Sequence, residues 1–469
     1  MRKAALHNLG CKVNAYETEA MGQMLEAAGY EIVPFTEKAD VYIVNTCSVT
    51  NVADKKSRQM LHRARKRNPE AVVVAAGCYV QSASEELLRD GAVDVIIGNN
   101  RKKDLVPVLE EYFTTRERSK EAGGTIPGVD ILDISKTSEY ENLAISHLSE
   151  HTRAFIKVQD GCNQFCSYCI IPYTRGRVRS RDPREVEREA RTLVAAGYQE
   201  IVLTGIHLSS YGIDFAKAGA IESEEDVQFD YGITTGEDAK SCSSDLLSLI
   251  RRLNEIEGLR RIRLGSLEPR IITEEFAAAL ASMKKVCPHF HLSLQSGCDA
   301  TLQRMNRHYT AEDYARRCEI LRAAFDNPAI TTDVIVGFPG ETEEEFLCTK
   351  EFLTRIHFYE MHVFKYSRRA GTRADKMPGQ VPEPVKSARS DILLKLEREQ
   401  SLDYRRSFLE KPIEVLLEES VEIDGRAYLI GHNPQYVKAA VPAAGYSHNE
   451  IVSGRAKTML TNEILLLTE

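Results

Sequence analysis

The sequence predicts an α/β protein built from a doubly wound parallel sheet, a partial (β/α)6 barrel and a small C-terminal β-barrel. Three observations carry this. Apolar runs alternate with helical periodicity over the first hundred residues. The same alternation resumes near residue 153 and continues for six steps. The last sixty residues then change to short strands punctuated by Gly, Asn and Pro. A chain of 469 residues is long for one core, so several domains are expected.

Residues 3–9, 40–46, 71–77 and 93–99 are apolar runs of strand length, as in a parallel sheet covered on both faces. Between them, YETEAMGQMLEAAG and NVADKKSRQMLHRARKRN have helical spacing, which completes a doubly wound alternation. This domain spans 1–115, and the polar stretch 116–150 reads as a linker. Over 151–384, strands are expected at 153–159, 200–205, 261–266, 289–295, 330–337 and 359–367, with helices between them. A full eight-step barrel takes about 250 residues, so six steps imply an open side. Residues 213–243, rich in Glu and Asp, break the rhythm and read as an exposed insertion. Residues 385–469 hold a charged amphipathic helix, near 385–410, and the small barrel.

Composition is that of a globular chain, 43% hydrophobic and 28% charged. Nowhere do eighteen apolar residues run without a charge, and the first twenty residues show no cleavable leader. A cytoplasmic protein with no membrane partner is therefore expected. In that compartment eleven cysteines are ligands, reactive thiols or small buried hydrophobes, not a disulfide framework.

Six of them form a pattern. Cys162, Cys166 and Cys169 are spaced C-x3-C-x2-C directly after the first barrel strand, and the next cysteine is Cys242. Barrel chemistry sits at the C-terminal ends of strands. Three thiolates can hold three irons of a four-iron cluster and leave the fourth open, as a catalytic zinc keeps one position open. The alternative is a zinc loop completed by a distant ligand such as His151 or His207. Cys11, Cys47 and Cys78, 36 and 31 residues apart, each follow a predicted strand of the first domain. Parallel strands end at one edge, where doubly wound folds place ligands, so these three are expected to converge. Three buried hydrophobic cysteines are the bland alternative.

The loop, with Tyr168 before its last cysteine, resembles that of the radical S-adenosylmethionine (SAM) superfamily. With the second cysteine set, the segment CSYCIIPYTRGRVRSR (166–181) and the terminal barrel, the chain resembles the MiaB-type methylthiotransferases over nearly its whole length. LGCKVNAYETEA (9–20) and NTCSVTNVADKKSRQ (45–59) are most similar to the branch acting on N6-threonylcarbamoyladenosine in tRNA. The resemblance implies a radical SAM barrel, a C-terminal TRAM domain that binds RNA, SAM, and two [4Fe-4S] clusters. Cys162, Cys166 and Cys169 would hold one cluster, and Cys11, Cys47 and Cys78 the other. One SAM would methylate a sulfur at the N-terminal cluster. A second, reductively cleaved, would give a 5′-deoxyadenosyl radical that removes hydrogen from C2 of the adenine, to which the methylthio group then moves. The implied substrate is position 37 of tRNA, 3′ of the anticodon, and the implied reductant is an external one-electron donor, flavodoxin- or ferredoxin-like. Rival substrates are isopentenyladenosine in tRNA and an aspartate of a ribosomal protein. The rival of another class is a non-catalytic zinc RNA-binding protein.

SAM would lie over the strand tops, with Tyr168, Arg177, Gly205, Glu268, Gln295 and Gly337 as candidate contacts. Glu268 would receive the ribose hydroxyls, and Gly337 would let the adenine approach. Arg175, Arg177, Arg179 and Arg181 alternate; in an extended segment they would share a face able to hold phosphates or the SAM carboxylate, with salt bridges to acids as the alternative. The helix after Cys47 carries Lys55, Lys56, Arg58, Arg63, Arg65, Lys66 and Arg67 against Asp54 alone. That concentration suits RNA phosphates despite the net charge of −8. Tyr428, His432, Tyr436 and Lys438 are the candidates for RNA contact in the terminal barrel, with a core position as the alternative for Tyr428. No side chain is assigned as general acid or base.

Overall fold

Apolar residues on both faces of its central strands build the first sheet. β1 (Lys3–Asn8), α1 (Lys12–Ala27), β2 (Glu31–Ile32), β3 (Val41–Thr46), α2 (Asn51–Arg67), β4 (Val72–Gly77), α3 (Cys78–Arg89), β5 (Val95–Ile97), α4 (Leu105–Ala122) and β6 (Val129–Asp130) follow in order. The strands are parallel in the order β2-β1-β3-β4-β5-β6. Every residue of β3 and β4 is buried, with Met21, Leu25 and Leu109 in the layer on one face and Leu61, Val80 and Leu87 on the other. Thr50 caps α2 by accepting from the Ala53 N–H at 3.1 Å. The computed structural model describes residues 1–122, 129–147, 152–215 and 237–468.

Residues 129–147 are not a solvated tether. β6 closes the edge of the sheet, Ile134, Leu143 and Ile145 are each 3% exposed, and the Tyr16 hydroxyl donates to the Leu143 carbonyl at 2.5 Å. The buried residues are spaced irregularly, so no helical or strand period marks them, and the polar residues between them read as linker.

The second part runs β7 (Ala154–Asp160), α5 (Ile171–Arg175), β8 (Arg179–Ser180), α6 (Pro183–Ala195), β9 (Glu200–Gly205), α7 (Glu237–Asn254), β10 (Arg261–Leu264), α8 (Glu274–Ala281), β11 (His289–His291), α9 (Asp299–Arg304), α10 (Ala311–Ala324), β12 (Ala329–Val336), α11 (Glu343–Ile356) and β13 (Glu360–Lys365). β7, β9 and β10 pair in parallel, as do β11, β12 and β13. Isolated parallel bridges Ile262–Val286 and Leu267–Leu292 link the two groups. Side chains alternate across each strand. Ile201, Leu203, Phe290, Leu292, Val334 and Met361 join the core shared with the helices. Glu200, Arg263, His291, Asp333 and His362 therefore face the opposite, inner side. Of the expected insertion, 216–236 lies outside the described residues, while 237–243 opens α7, which begins earlier than its periodicity suggests.

The third part is α12 (Glu383–Arg406) followed by β14 (Pro412–Ile423), β15 (Arg426–His432), β16 (Lys438–Pro442), β17 (Ile451–Met459) and β18 (Leu465–Thr468). These strands close in the order β14-β15-β16-β18-β17. Arg261 and Arg263 of β10 donate to the carbonyls of His432 and Pro434, each at 2.9 Å, which fixes this barrel under the second part.

Candidate active site

Cys11 caps the start of α1, Cys47 follows β3 and Cys78 opens α3, so three neighbouring strands deliver them to one edge. Gly10 (φ +110°) allows this approach: a Cβ there would stand 2.9 Å from the Cys47 Sγ. Burial raises the thiols of Cys11 and of Cys47, the latter up to about 11; Cys78 adds to both shifts and Cys11 to that of Cys47. Asn99 reaches both the Cys78 Sγ (3.7 Å) and the Thr174 carbonyl (2.7 Å).

Beneath these thiols lies a buried ion network. Glu17 is fully buried and meets Arg175 (2.9 Å), Lys157 (2.7 Å) and Lys102 (3.1 Å). Burial alone would push its carboxyl up, but the three cations outweigh that and hold it well below the carboxylate range. Arg175 also meets Asp160 at 3.0 Å and donates to Asn14 at 2.5 Å, and Asn14 donates to the Leu9 and Thr46 carbonyls. This corrects the reading of the arginine row as one shared face for phosphates or the SAM carboxylate, in favour of its alternative, salt bridges to acids. Arg175 ends a helix, Arg179 lies 3.7 Å from Asp160, and Arg181 pairs with Glu189. Three of the four arginines are thus consumed by internal carboxylates. Arg177 lies over the Phe165 ring at 4.6 Å.

Cys162, Cys166 and Cys169 share one loop, closed by the Cys169 N–H donating to the Cys166 carbonyl at 3.0 Å. Burial first, then Cys166, raises the thiols of Cys162, up to about 12, and Cys169. The Arg307 guanidinium stands 3.3 Å from the Cys166 Sγ and donates to the Ser293 carbonyl at 3.0 Å. Three crowded soft donors, costly to ionise alone, fit a cationic cluster that takes them as thiolates. Nε2 of His207, beside Glu268 and Arg307, is buried with no hydrogen-bond partner among the described residues, an unmet polar atom that a bound polar molecule would satisfy. Burial lowers His207 to about 4, so its ring is neutral. Its Nδ1 is on Ser210 at 2.6 Å; His151 lies outside the described residues.

The other expected SAM contacts divide. Tyr168 packs edge-on to Phe338, Gly205 ends β9 against Gln159, and Gln295 takes φ +73° beyond β11. Glu268 is 6% exposed and already engaged by Arg270 at 2.7 Å. At Gly337, a Cβ would meet the Lys386 stem at 2.3 Å, so contact with α12 already demands glycine there. On α2, Lys55, Lys56, Arg63 and Lys66 are exposed and share about a third of the helix circumference. Arg58 instead donates to Tyr79 (2.7 Å), Arg65 pairs with Asp94, and Asp54 is taken by Arg369. Tyr436 is corrected as an RNA-stacking residue. Its ring stacks on His289 (5.0 Å) and His432 (4.3 Å), and the Arg153 and Arg263 guanidinia each lie 4.8 Å from its centroid. Lys438 is half-buried beside it, on a cavity of ≈ 580 Å³ that also touches Arg153, Glu360 and Arg405.

Residues 3–98 match the model of uncharacterized protein family UPF0004, and residues 156–353 that of the Radical SAM superfamily. A Bacillus subtilis protein named threonylcarbamoyladenosine tRNA methylthiotransferase MtaB is 40% identical, over 96% of this chain and 96% of its own. The chain belongs to the radical SAM methylthiotransferases. An Aquifex aeolicus protein with the same name is 39% identical over 87% of this chain and 90% of its own. A Thermoanaerobacter protein named tRNA-2-methylthio-N(6)-dimethylallyladenosine synthase is 34% identical over 88% and 81%. The solved radical SAM methyltransferase TsrM from Kitasatospora setae superposes with TM-score 0.52 at 16% identity, over 78% of this chain and 75% of that one, a likeness of fold alone. Membership makes this methylthiotransferase an enzyme, implies SAM and a [4Fe-4S] cluster, and sets aside the zinc-protein alternative. Glu17, Asn14, Asp160, Asn99 and Arg307 were missed by sequence reasoning. Their only signal is an ionic or amide side chain inside a buried stretch.

Proposed function

We propose that this methylthiotransferase adds a methylthio group to C2 of N6-threonylcarbamoyladenosine at position 37 of tRNA, 3′ of the anticodon. The observation that carries the reading is the joining of two three-cysteine sites by one segment: Cys169 ends the loop, and Arg175, six residues on, lies beneath Cys11, Cys47 and Cys78. The name and full-length match of the Bacillus subtilis relative support the substrate.

In this reading Cys162, Cys166 and Cys169 hold one [4Fe-4S] cluster, Cys11, Cys47 and Cys78 a second, and the two groups of parallel strands form a partial barrel. When bound, clusters and SAM supply the electron, the radical chemistry and the sulfur that an unactivated aromatic C–H requires. The chain's own residues orient and exclude. Arg307 places a positive charge against Cys166, Asn99 ties Cys78 to the segment after the loop, and Tyr168, Arg177, Gly205 and Gln295 border the SAM space. Glu268 reaches ribose hydroxyls only with the lone pairs that Arg270 leaves free. Lys55, Lys56 and Arg63, with Arg58 at their edge, hold RNA phosphates, and the terminal barrel serves as a TRAM domain with Lys438 near its RNA path. A cytoplasmic one-electron donor reduces the enzyme. No helix among the described residues is long and apolar enough to cross a membrane.

The test is nucleoside mass spectrometry on threonylcarbamoylated tRNA incubated anaerobically with reconstituted enzyme, SAM and reductant. A 2-methylthio derivative of that nucleoside is the expected product. Released 5′-deoxyadenosine with unchanged nucleoside would overturn the substrate and send the assay to isopentenyladenosine tRNA and the ribosomal aspartate.

A further inference from the structure

Three adjacent inner strands bring one polar side chain each together, His291 on β11, Asp333 on β12 and His362 on β13, with one ligand atom from each within 4.8 Å of the others. Asp333 and His362 are register partners, and the His291 Nε2 stands 3.2 Å from the Asp333 Oδ2. The His291 Nδ1 is on the Thr331 hydroxyl at 3.0 Å, which fixes the ring, and the His362 ring stacks on it at 5.7 Å. The group faces open space: Asp333 keeps 28% of its side-chain surface and His362 is exposed. It is also linked to the cysteine loop through neighbouring backbone. The Gln295 N–H donates to the Asp333 carbonyl at 2.8 Å, and Arg307 spans from the Cys166 Sγ to the carbonyl of Ser293, two residues beyond His291.

The surrounding charge is positive. Lys12, the residue after Cys11, lies within electrostatic reach of Arg153 and Arg263 with Glu200 as the opposing acid, and Lys12 and His291 both act on His289. Lys12 forms no salt bridge among the described residues. An apolar guest here would strand the remaining lone pairs of Asp333, the His362 imidazole and the Lys12 ammonium. A guest bearing N–H donors and a carboxylate would satisfy them.

We propose that His291, Asp333 and His362 form the subsite that reads the N6 substituent of the substrate base. Asp333 accepts from the ureido N–H, His362 donates to the carbamoyl or carboxylate oxygens, and Lys12 supplies the field that favours an anionic group. This rests on the substrate reading above. In adenine C2 and the N6 substituent leave the ring in different directions, so a base with C2 at the cysteine sites needs a separate polar surface for that substituent, and this group offers one. Sites built to hydrogen-bond a polar substituent discriminate strongly against analogues that lack it.

The test compares binding of three anticodon stem-loop RNAs, alike except for threonylcarbamoyladenosine, isopentenyladenosine or adenosine at the reactive position. Wild type, His362→Phe and Asp333→Asn are measured by fluorescence anisotropy, with adenosine RNA as the control for fold and phosphate contacts. The expected result is preference for the threonylcarbamoyl loop in wild type, reduced about 10- to 100-fold in both variants. Unchanged preference in both variants would overturn the subsite while leaving the substrate reading intact. Failure of wild-type enzyme to methylthiolate threonylcarbamoylated tRNA would remove the substrate reading, and the subsite with it. Stoichiometric zinc or manganese in wild type, lost in His362→Phe, would make the group a metal site instead and overturn direct contact.

Discussion

The two three-cysteine sites reach the same donor set by opposite routes. Cys162, Cys166 and Cys169 lie on one loop of eight residues, so their grouping is local and survives wherever that loop forms. Cys11, Cys47 and Cys78 are brought together only when β1, β3 and β4 pair and when Gly10 lets Cys47 within reach. The first site is written in spacing and the second in topology. Disturbing the fold should therefore damage the second first.

The largest expected effect separates them by chemistry. Replacing Cys11, Cys47 and Cys78 together with Ala should abolish methylthio transfer while reductive SAM cleavage to 5′-deoxyadenosine persists. Replacing Cys162, Cys166 and Cys169 should abolish both. Loss of SAM cleavage in a folded variant of the first set would collapse the distinction.

Next comes the ion network under the second site. Glu17→Gln leaves Arg175 and Lys157 buried with reduced compensation, a class of change that costs about 3–5 kcal/mol. Urea unfolding should show that loss, and iron content after reconstitution should fall from about eight toward about four per chain if the topological site is the fragile one. Full iron retention would show that the second site does not depend on the network.

A smaller effect is set by acid. Burial depresses His207 to about 4 from 6.5, so between these values the folded chain binds fewer protons than the unfolded one. Its contribution is complete above about 6.5 and is lost as pH falls toward about 4. His207→Asn should flatten that limb of thermal stability against pH by up to about 1.4 kcal/mol per pH unit. An unaltered profile would mean that His207 is solvated.

The smallest effect lies farthest from the cysteines. Removing Lys55, Lys56 and Arg63 should lower the slope of log affinity against log salt for tRNA by about two, since each phosphate contact contributes about 0.7 to 0.9. SAM cleavage without RNA should not move.

Much of this arrangement was legible in the sequence. Strand-length apolar runs followed by cysteine gave the first sheet and both thiol sets, because period and position are local properties. The arginine row after the loop misled, since alternation predicts one face only for extended backbone, and residues 171–175 are helical. The partners that claim Arg175, among them Glu17, 158 residues away, leave no local signal. Tyr436 failed for the same reason. It sits in a terminal-barrel turn, yet its stacking partner His289 belongs to β11, and nothing near residue 436 announces that docking. The segment 129–147 hid its packing because its buried residues, Ile134, Leu143 and Ile145, are nine and two residues apart, which fits neither a helical nor a strand period.

Glu17 bears on how this enzyme can be taken apart. Its three cations come from both sides of the apparent boundary: Lys102 from the first sheet's own domain, Lys157 and Arg175 from the radical SAM domain. A fragment ending at residue 115 would carry the carboxylate into its core with one cation instead of three. The remainder would keep two cations with Asp160 as their shared acid. Modules that read as separable along the chain thus share one charge balance. Fragment expression or grafting of the N-terminal domain onto another radical SAM domain would have to carry that balance across the joint.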